Sequence, residues 1–298
     1  VKRETYTASR ITFRVSRFAV AQVKQSMNRK RILILIVLIE LGILAISLRP
    51  SAPQGDEPAL IVQRIQLSLF EAQQSLATDP AMARTAVDAA TAQHRSLAMR
   101  LPSSANSAAQ AANGALADAR AAVDANDAVA LIQARADYQT ALVWAGYLAT
   151  LESTRAGRGA DATVWLKLRA YKPSSRLNPA SSEATLAAAD LASGRLTSAQ
   201  ATTAVRRDLD ATYQVLLVDA VGTSVTMSFQ GSRMRAVEAA VTAAGYYRIL
   251  RAGFAAQSGA QRAASVDQAF ADLRAAVVQA DWPAVQRAQA VIAQSLGG

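Results

Sequence analysis

Hydrophobic positions fall into two regimes along the chain. Residues 32–48, ILILIVLIELGILAISL, form one apolar run closed by Arg31 and Arg49. Beyond it, apolar residues recur at helical spacing almost without interruption, broken only by capping and turn residues. Ser51-Ala-Pro-Gln-Gly-Asp-Glu-Pro58 has linker composition and separates the two regimes.

The body carries readable helix starts. Asp79-Pro80 places an N-cap before a first-turn proline. Leu101-Pro102-Ser103-Ser104 ends one helix and offers a cap for the next, and Asn126-Asp127 opens a long one reaching about Leu151. Asn178-Pro179, the capping-box pattern Thr197-x-x-Gln200 and Asp281-Trp282-Pro283 open three more. Gly194 suits a left-handed helix stop. The least regular stretch, 157–180, holds Gly157, Gly159, Pro173 and Ser174 around a short apolar piece with Trp165 and Leu168.

This punctuation predicts an all-α chain: an alanine-rich extracytoplasmic helical bundle behind one N-terminal hydrophobic helix. The expected organisation is a basic cytoplasmic leader at 1–28, a signal peptide or membrane anchor at 29–49 and a linker at 50–58. A first helical subdomain at 59–156, an irregular connector at 157–180 and a second subdomain at 181–298 follow. The two subdomains carry a candidate repeat. ALADARAAV at Ala115–Val123 aligns with AFADLRAAV at Ala269–Val277, and Asp127 then aligns with Asp281.

Composition supports helices. Half the residues are hydrophobic, many of them alanine, and aromatics make up only 5%. Alanine is the best helix former and adds little core volume, which favours closely packed helices over sheets.

The net charge of +10 changes meaning once it is located. Residues 1–31 hold nine Lys/Arg against one acid, whereas residues 50–298 hold 22 basic and 20 acidic side chains. The body therefore lacks the broad basic face that phosphate binding needs, and a nucleic-acid partner is not expected.

The basic cluster instead orients the hydrophobic run. Arg29, Lys30 and Arg31 precede Ile32, Leu38 lies inside, and Leu48 closes the segment. The positive-inside rule keeps the N-terminus cytoplasmic and places everything after Pro50 outside. At 17 residues the helix spans about 25 Å, slightly short of the hydrocarbon core. Glu40 at its centre would be protonated or paired, because an ionised group there costs about 2–3 kcal/mol. Asn28 to Arg31 also reads as a signal-peptide n-region, with Ala45-Ile46-Ser47 as a cleavage site. Cleaved signal and retained anchor both remain open. So do three readings of residues 1–26: a mis-set start ahead of Met27, a basic amphipathic helix on the inner membrane surface, and a transit peptide.

Candidate chemistry is sparse. The chain has no cysteine, which removes disulfides, thiolate metal sites and Cys nucleophiles together. The single histidine, His94, has no partner at zinc-helix spacing and reads as structural or solvated. Three acidic pairs remain: Asp56/Glu57, Asp124/Asp127 and Asp208/Asp210. Capping explains the first two, and a solvated charged face the third. Trp144, Tyr147, Trp165, Tyr213, Tyr246, Tyr247 and Trp282 read as gap fillers between closely spaced helices. No catalytic residue, cofactor site or metal site is expected, and the chain does not read as an enzyme.

Residues 181–256 carry a family resemblance. Leu191-Ala-Ser-Gly-Arg-Leu-Thr-Ser, Val205-Arg-Arg-Asp-Leu-Asp-Ala-Thr-Tyr213 and Ala244-Gly-Tyr-Tyr247 resemble the helical extracytoplasmic region that precedes the permease in bacterial Ftr-type iron permeases. The permease part, with Arg-Glu-x-x-Glu motifs in membrane helices, has no counterpart here. The resemblance implies an accessory domain of an envelope transport complex near iron uptake, with membrane and transporter or envelope proteins as partners. A membrane-anchored structural scaffold and a sensory ligand-binding bundle are the competing expectations.

Overall fold

The computed structural model describes residues 57–170 and 182–296. Ile32, Leu38, Glu40 and Leu48 of the hydrophobic run, and Arg29, Lys30 and Arg31 before it, lie outside the described residues. So do Asp56 and Asn178-Pro179. The chain from Asp56 onward clusters as one compact unit.

No strand occurs among the described residues, and short turns join most of the helices. They are α1 (Pro58–Ser75), α2 (Pro80–Ala98), α3 (Asn106–Asp124), α4 (Ala128–Arg155) and α5 (Gly159–Leu166). After them come α6 (Glu183–Ala192), α7 (Ser198–Phe229), α8 (Arg233–Ser258), α9 (Ala260–Gln279) and α10 (Trp282–Leu296).

Four of the expected caps form, whereas Glu57 at the start of α1 makes no side-chain cap. Asp79 accepts the amide of Met82 at 2.9 Å, and Asp127 accepts those of Val129 and Ala130. Asp281 accepts the amide of Ala284, and Thr197 with Gln200 completes a reciprocal capping box. These contacts satisfy amides that a helix start leaves without intrahelical acceptors. Gly157 and Gly194 stop their helices at φ +75° and +74°, a region that costs glycine little. The start of α3 differs from expectation. Ser103–Ala105 forms a 3₁₀ turn, no side chain caps the helix, and the Ser104 amide donates instead to Glu152 on α4.

Three four-helix rings share their long members. In the first, α1 packs on α2, α2 on α3, α3 on α4 and α4 back on α1. In the second, the C-terminal half of α4 closes through α5, α6 and the N-terminal half of α7. The third runs from the rest of α7 through α8, α9 and α10. Each ring has its own core. Leu69, Val87, Leu116 and Leu131 belong to the first, Leu151, Leu166, Val205 and Leu209 to the second, and Val237, Val266, Leu273 and Val285 to the third. Because α4 also packs along α8, it buries residues all round, from Leu131 and Ile132 to Ser153 and Thr154. A helix apolar on every side belongs at the centre of a domain.

Small residues permit this closeness. Gly245 on α8 lies directly against Thr140 on α4, and Gly146 on α4 against Leu168. Two ion pairs join α4 to the third ring: Arg135 to Glu238 of α8 at 2.5 Å, and Asp137 to Arg274 of α9 at 2.7 Å.

Candidate functional site

Most of the buried polar side chains lie in or beside the middle ring. Tyr147 on α4 donates its hydroxyl to Asp210 Oδ1 on α7 at 2.9 Å. One turn along α7, Tyr213 is fully buried, with its ring edge-on to Tyr147 at 6.0 Å and stacked on Tyr246 of α8 at 5.9 Å. The Tyr213 hydroxyl has no hydrogen-bond partner, a costly state for a buried donor.

On the neighbouring side, Arg169 donates to Ser182 Oγ at 3.0 Å and to Thr185 Oγ1 at 2.7 Å. Asp208 Oδ2 accepts the amide of Ala184, so a carboxylate from α7 holds the start of α6. Thr202 donates to Thr154 across the same ring.

Burial governs the protonation of this cluster. It pushes the Asp210 carboxyl above its ordinary range, against the Tyr147 hydrogen bond and the nearby Arg206 charge. Burial also raises the phenols of Tyr147, Tyr213 and Tyr246, so all three are neutral hydrogen-bonding groups at neutral pH. Beside Asp210, a groove of about 410 Å³ runs between α7 and α8, lined by Gln214, Leu217, Tyr247, Leu250 and Phe254. The arrangement places neutral phenols and the half-buried Asp210 carboxyl beside an apolar wall.

The other sequence candidates fall elsewhere. Buried His94 shares a hydrogen bond between Nδ1 and Tyr138 Oη at 3.0 Å, which makes it structural. Its Nε2 has no partner at hydrogen-bonding geometry. Burial lowers the His94 pKa, with the Asn113 side chain close enough to oppose the shift. Glu57 pairs with Lys167, and Asp124 with Arg84 at 2.6 Å. Arg84, and to a smaller degree Arg120, hold the Asp124 carboxyl below its usual range.

Asp208 and Asp210 correct one expectation. They do not lie on a solvated face, since Asp208 is buried and Asp210 half-buried. The alternation of Arg206-Arg207 with the two acids suggests an exposed stripe. Yet α7 has α6 on one flank and α4 on another, so that face turns inward. Among the described residues, no group of three or more His, Cys, Asp and Glu side chains could hold a metal ion. No helix among them is long and apolar enough to cross a membrane.

The grouping of Tyr147 with Asp210 and Tyr213 is the feature that sequence reasoning missed. Asp210 and Tyr213 are spaced i, i+3, which is legible, but Tyr147 lies 63 residues upstream of Asp210.

Ten helices among the described residues, in three linked rings with most of the buried polar side chains in or beside the middle one, define an alanine-packed helical-bundle domain. Residues 56–295 match a family model described as the iron permease FTR1 N-terminal domain. The chain belongs to that family, which gives it an iron-permease-related role in a family of transporters rather than enzymes. No curated protein and no solved structure matches it.

Proposed function

We propose that the chain is a non-catalytic accessory domain of an envelope iron-uptake complex, held at the membrane by residues 32–48 with its helical bundle outside the cytoplasm. The family match over residues 56–295 carries this reading. The hydrophobic run and the nine basic residues before it support the topology through the positive-inside rule. The bundle's near balance of charge suits a protein partner better than a polyanion.

The test is a mild-detergent pull-down from native membranes, with mass spectrometry of the partners and of this chain's terminal peptides. Recovery with an iron permease, as a separate chain or as a continuation of this one, supports the reading. A chain found only among envelope structural proteins would replace it with the scaffold reading.

A further inference from the structure

We infer that Tyr147 is a one-electron redox site of this chain, with the Asp210 carboxylate as the acceptor of its phenolic proton. The site adds a redox activity to the helical bundle and does not depend on the transport reading above.

The chemistry couples an electron to a proton. A phenol ordinarily ionises near pH 10, but it becomes a strong acid once an electron leaves its ring. Its oxidation is therefore easiest where a base already holds the hydroxyl proton. At Tyr147 the electron passes to the oxidant, the phenolic O–H bond breaks, and an O–H bond forms on Asp210 Oδ1. The products are a neutral tyrosyl radical, a neutral carboxylic acid and an oxidant reduced by one electron. The 2.9 Å hydrogen bond from Tyr147 Oη to Asp210 Oδ1 sets the proton's path in advance. That bond and the nearby Arg206 charge both favour the ionised carboxylate, which keeps the base available.

The surroundings of the other described tyrosines select this one. Tyr213 is fully buried and its hydroxyl has no partner, so nothing is placed to take its proton. The Tyr247 hydroxyl donates to the Ala263 carbonyl, a very weak base. Asp219 acts on Tyr246 as a charge and not through a hydrogen bond. Tyr138 does have a base, His94 Nδ1 at 3.0 Å, but both residues are buried. Proton transfer there creates an imidazolium in the core, whereas transfer to Asp210 removes a half-buried negative charge. Burial opposes the first change and assists the second.

The rings also supply a route. Tyr213 lies edge-on to Tyr147 at 6.0 Å and stacks on Tyr246 at 5.9 Å. Trp144, half-buried, precedes Tyr147 by one turn on the same face of α4. A hole that enters at Tyr246 or Trp144 thus comes to rest on the phenol that a carboxylate serves. The chain has no cysteine, so no thiol competes for it. On the iron-uptake reading, the oxidants it meets are the radicals and high-valent iron species that ferrous iron forms with peroxide.

The test uses the full chain with Tyr6→Phe and Tyr171→Phe, which removes the tyrosines outside the described residues. Photogenerated tris(bipyridine)ruthenium(III) is the oxidant. Transient absorption follows the radical, and electron paramagnetic resonance of freeze-quenched samples identifies it. The expected product is a tyrosyl radical that forms more slowly in deuterated water, is lost in Tyr147→Phe and persists in Tyr138→Phe. Asp210→Asn should slow its formation by about a hundredfold, as loss of a positioned proton acceptor does. Asp210→Glu, which keeps a carboxylate, should recover much of the rate, and circular dichroism checks that each variant folds.

A radical that survives Tyr147→Phe, or a tryptophanyl radical as the final species, overturns the site. So does a Tyr147 radical that forms at the parental rate in Asp210→Asn. If Asp210→Asn does not fold, the deuterium effect on the parent decides, and its absence overturns the coupled step. None of these outcomes touches the transport reading, which the pull-down tests separately.

Discussion

Thr140 of α4 and Gly245 of α8 meet without room for a methyl group between them: a Cβ on Gly245 would lie 2.3 Å from Thr140 Cβ. Gly245→Ala forces the central α4–α8 seam apart, and overpacking of this kind costs about 1–3 kcal/mol. Gly222 on α7 has nothing within 4 Å of the same added atom. There, alanine should be neutral or stabilise by up to about 1 kcal/mol through helix propensity. Denaturant midpoints of the two variants test the seam, and a Gly245→Ala chain as stable as the parent would contradict it.

Burial holds His94 neutral, so its folded pKa lies below the unfolded value of 6.5. As pH falls below about 6.5, the unfolded chain takes up this proton first. Stability contributed by His94 is present above that pH and is lost as pH falls through the folded-state value, with a slope of at most about 1.4 kcal/mol per pH unit. Chemical denaturation between pH 7 and pH 5 should show this loss. His94→Gln should be less stable at pH 7 and show a flatter profile across the same window.

Tyr147→Phe removes the hydroxyl that donates to the half-buried Asp210 carboxyl. The expected cost is about 1–2 kcal/mol, because the acceptor stays where it is and loses its donor. The Asp210 pKa, already raised by burial, should rise further when the opposing hydrogen bond goes. Carboxyl-resolved NMR titration reads that shift directly. An unchanged Asp210 titration would show that solvent, not Tyr147, serves the carboxyl.

Arg274 reaches Asp137 with both terminal guanidinium nitrogens, at 3.4 and 2.7 Å. Both side chains are less than one-third exposed, so solvent screens the pair only in part. A double-mutant cycle with Arg274→Ala and Asp137→Ala should give a coupling of about 1 kcal/mol, weakening as salt is added. A coupling indistinguishable from zero would mean that α9 is held against α4 by its neighbours alone.

The caps were legible because a cap is local. Asp79, Asp127, Thr197 and Asp281 act within three residues of themselves, and their chemistry can be read without knowing what they pack against. The all-helical class followed from the same signals. The middle ring was not legible in this way. Tyr147 finds Asp210, and Asp208 finds Ala184, only after α4 and α7 have each been given to two rings. Sequence periodicity describes one apolar face per helix. A helix shared between two cores has two, and its second face reads as a polar one when it carries Asp208 and Asp210. Ser103 and Ser104 show a related limit: they have cap chemistry, yet the Ser104 amide turns to Glu152 on another helix.

The sharing of α4 and α7 also has a mechanical side. At 32 residues, α7 is about 48 Å long, and its two halves are clamped by different sets of helices. Neither outer ring can pivot about a hinge, since any rotation would bend a continuous helix gripped at both ends. The domain behaves as a rigid strut, with the Phe229 end and the Thr197 end at a fixed separation. Whatever engages one end thereby sets the height at which the polar cluster between them is held.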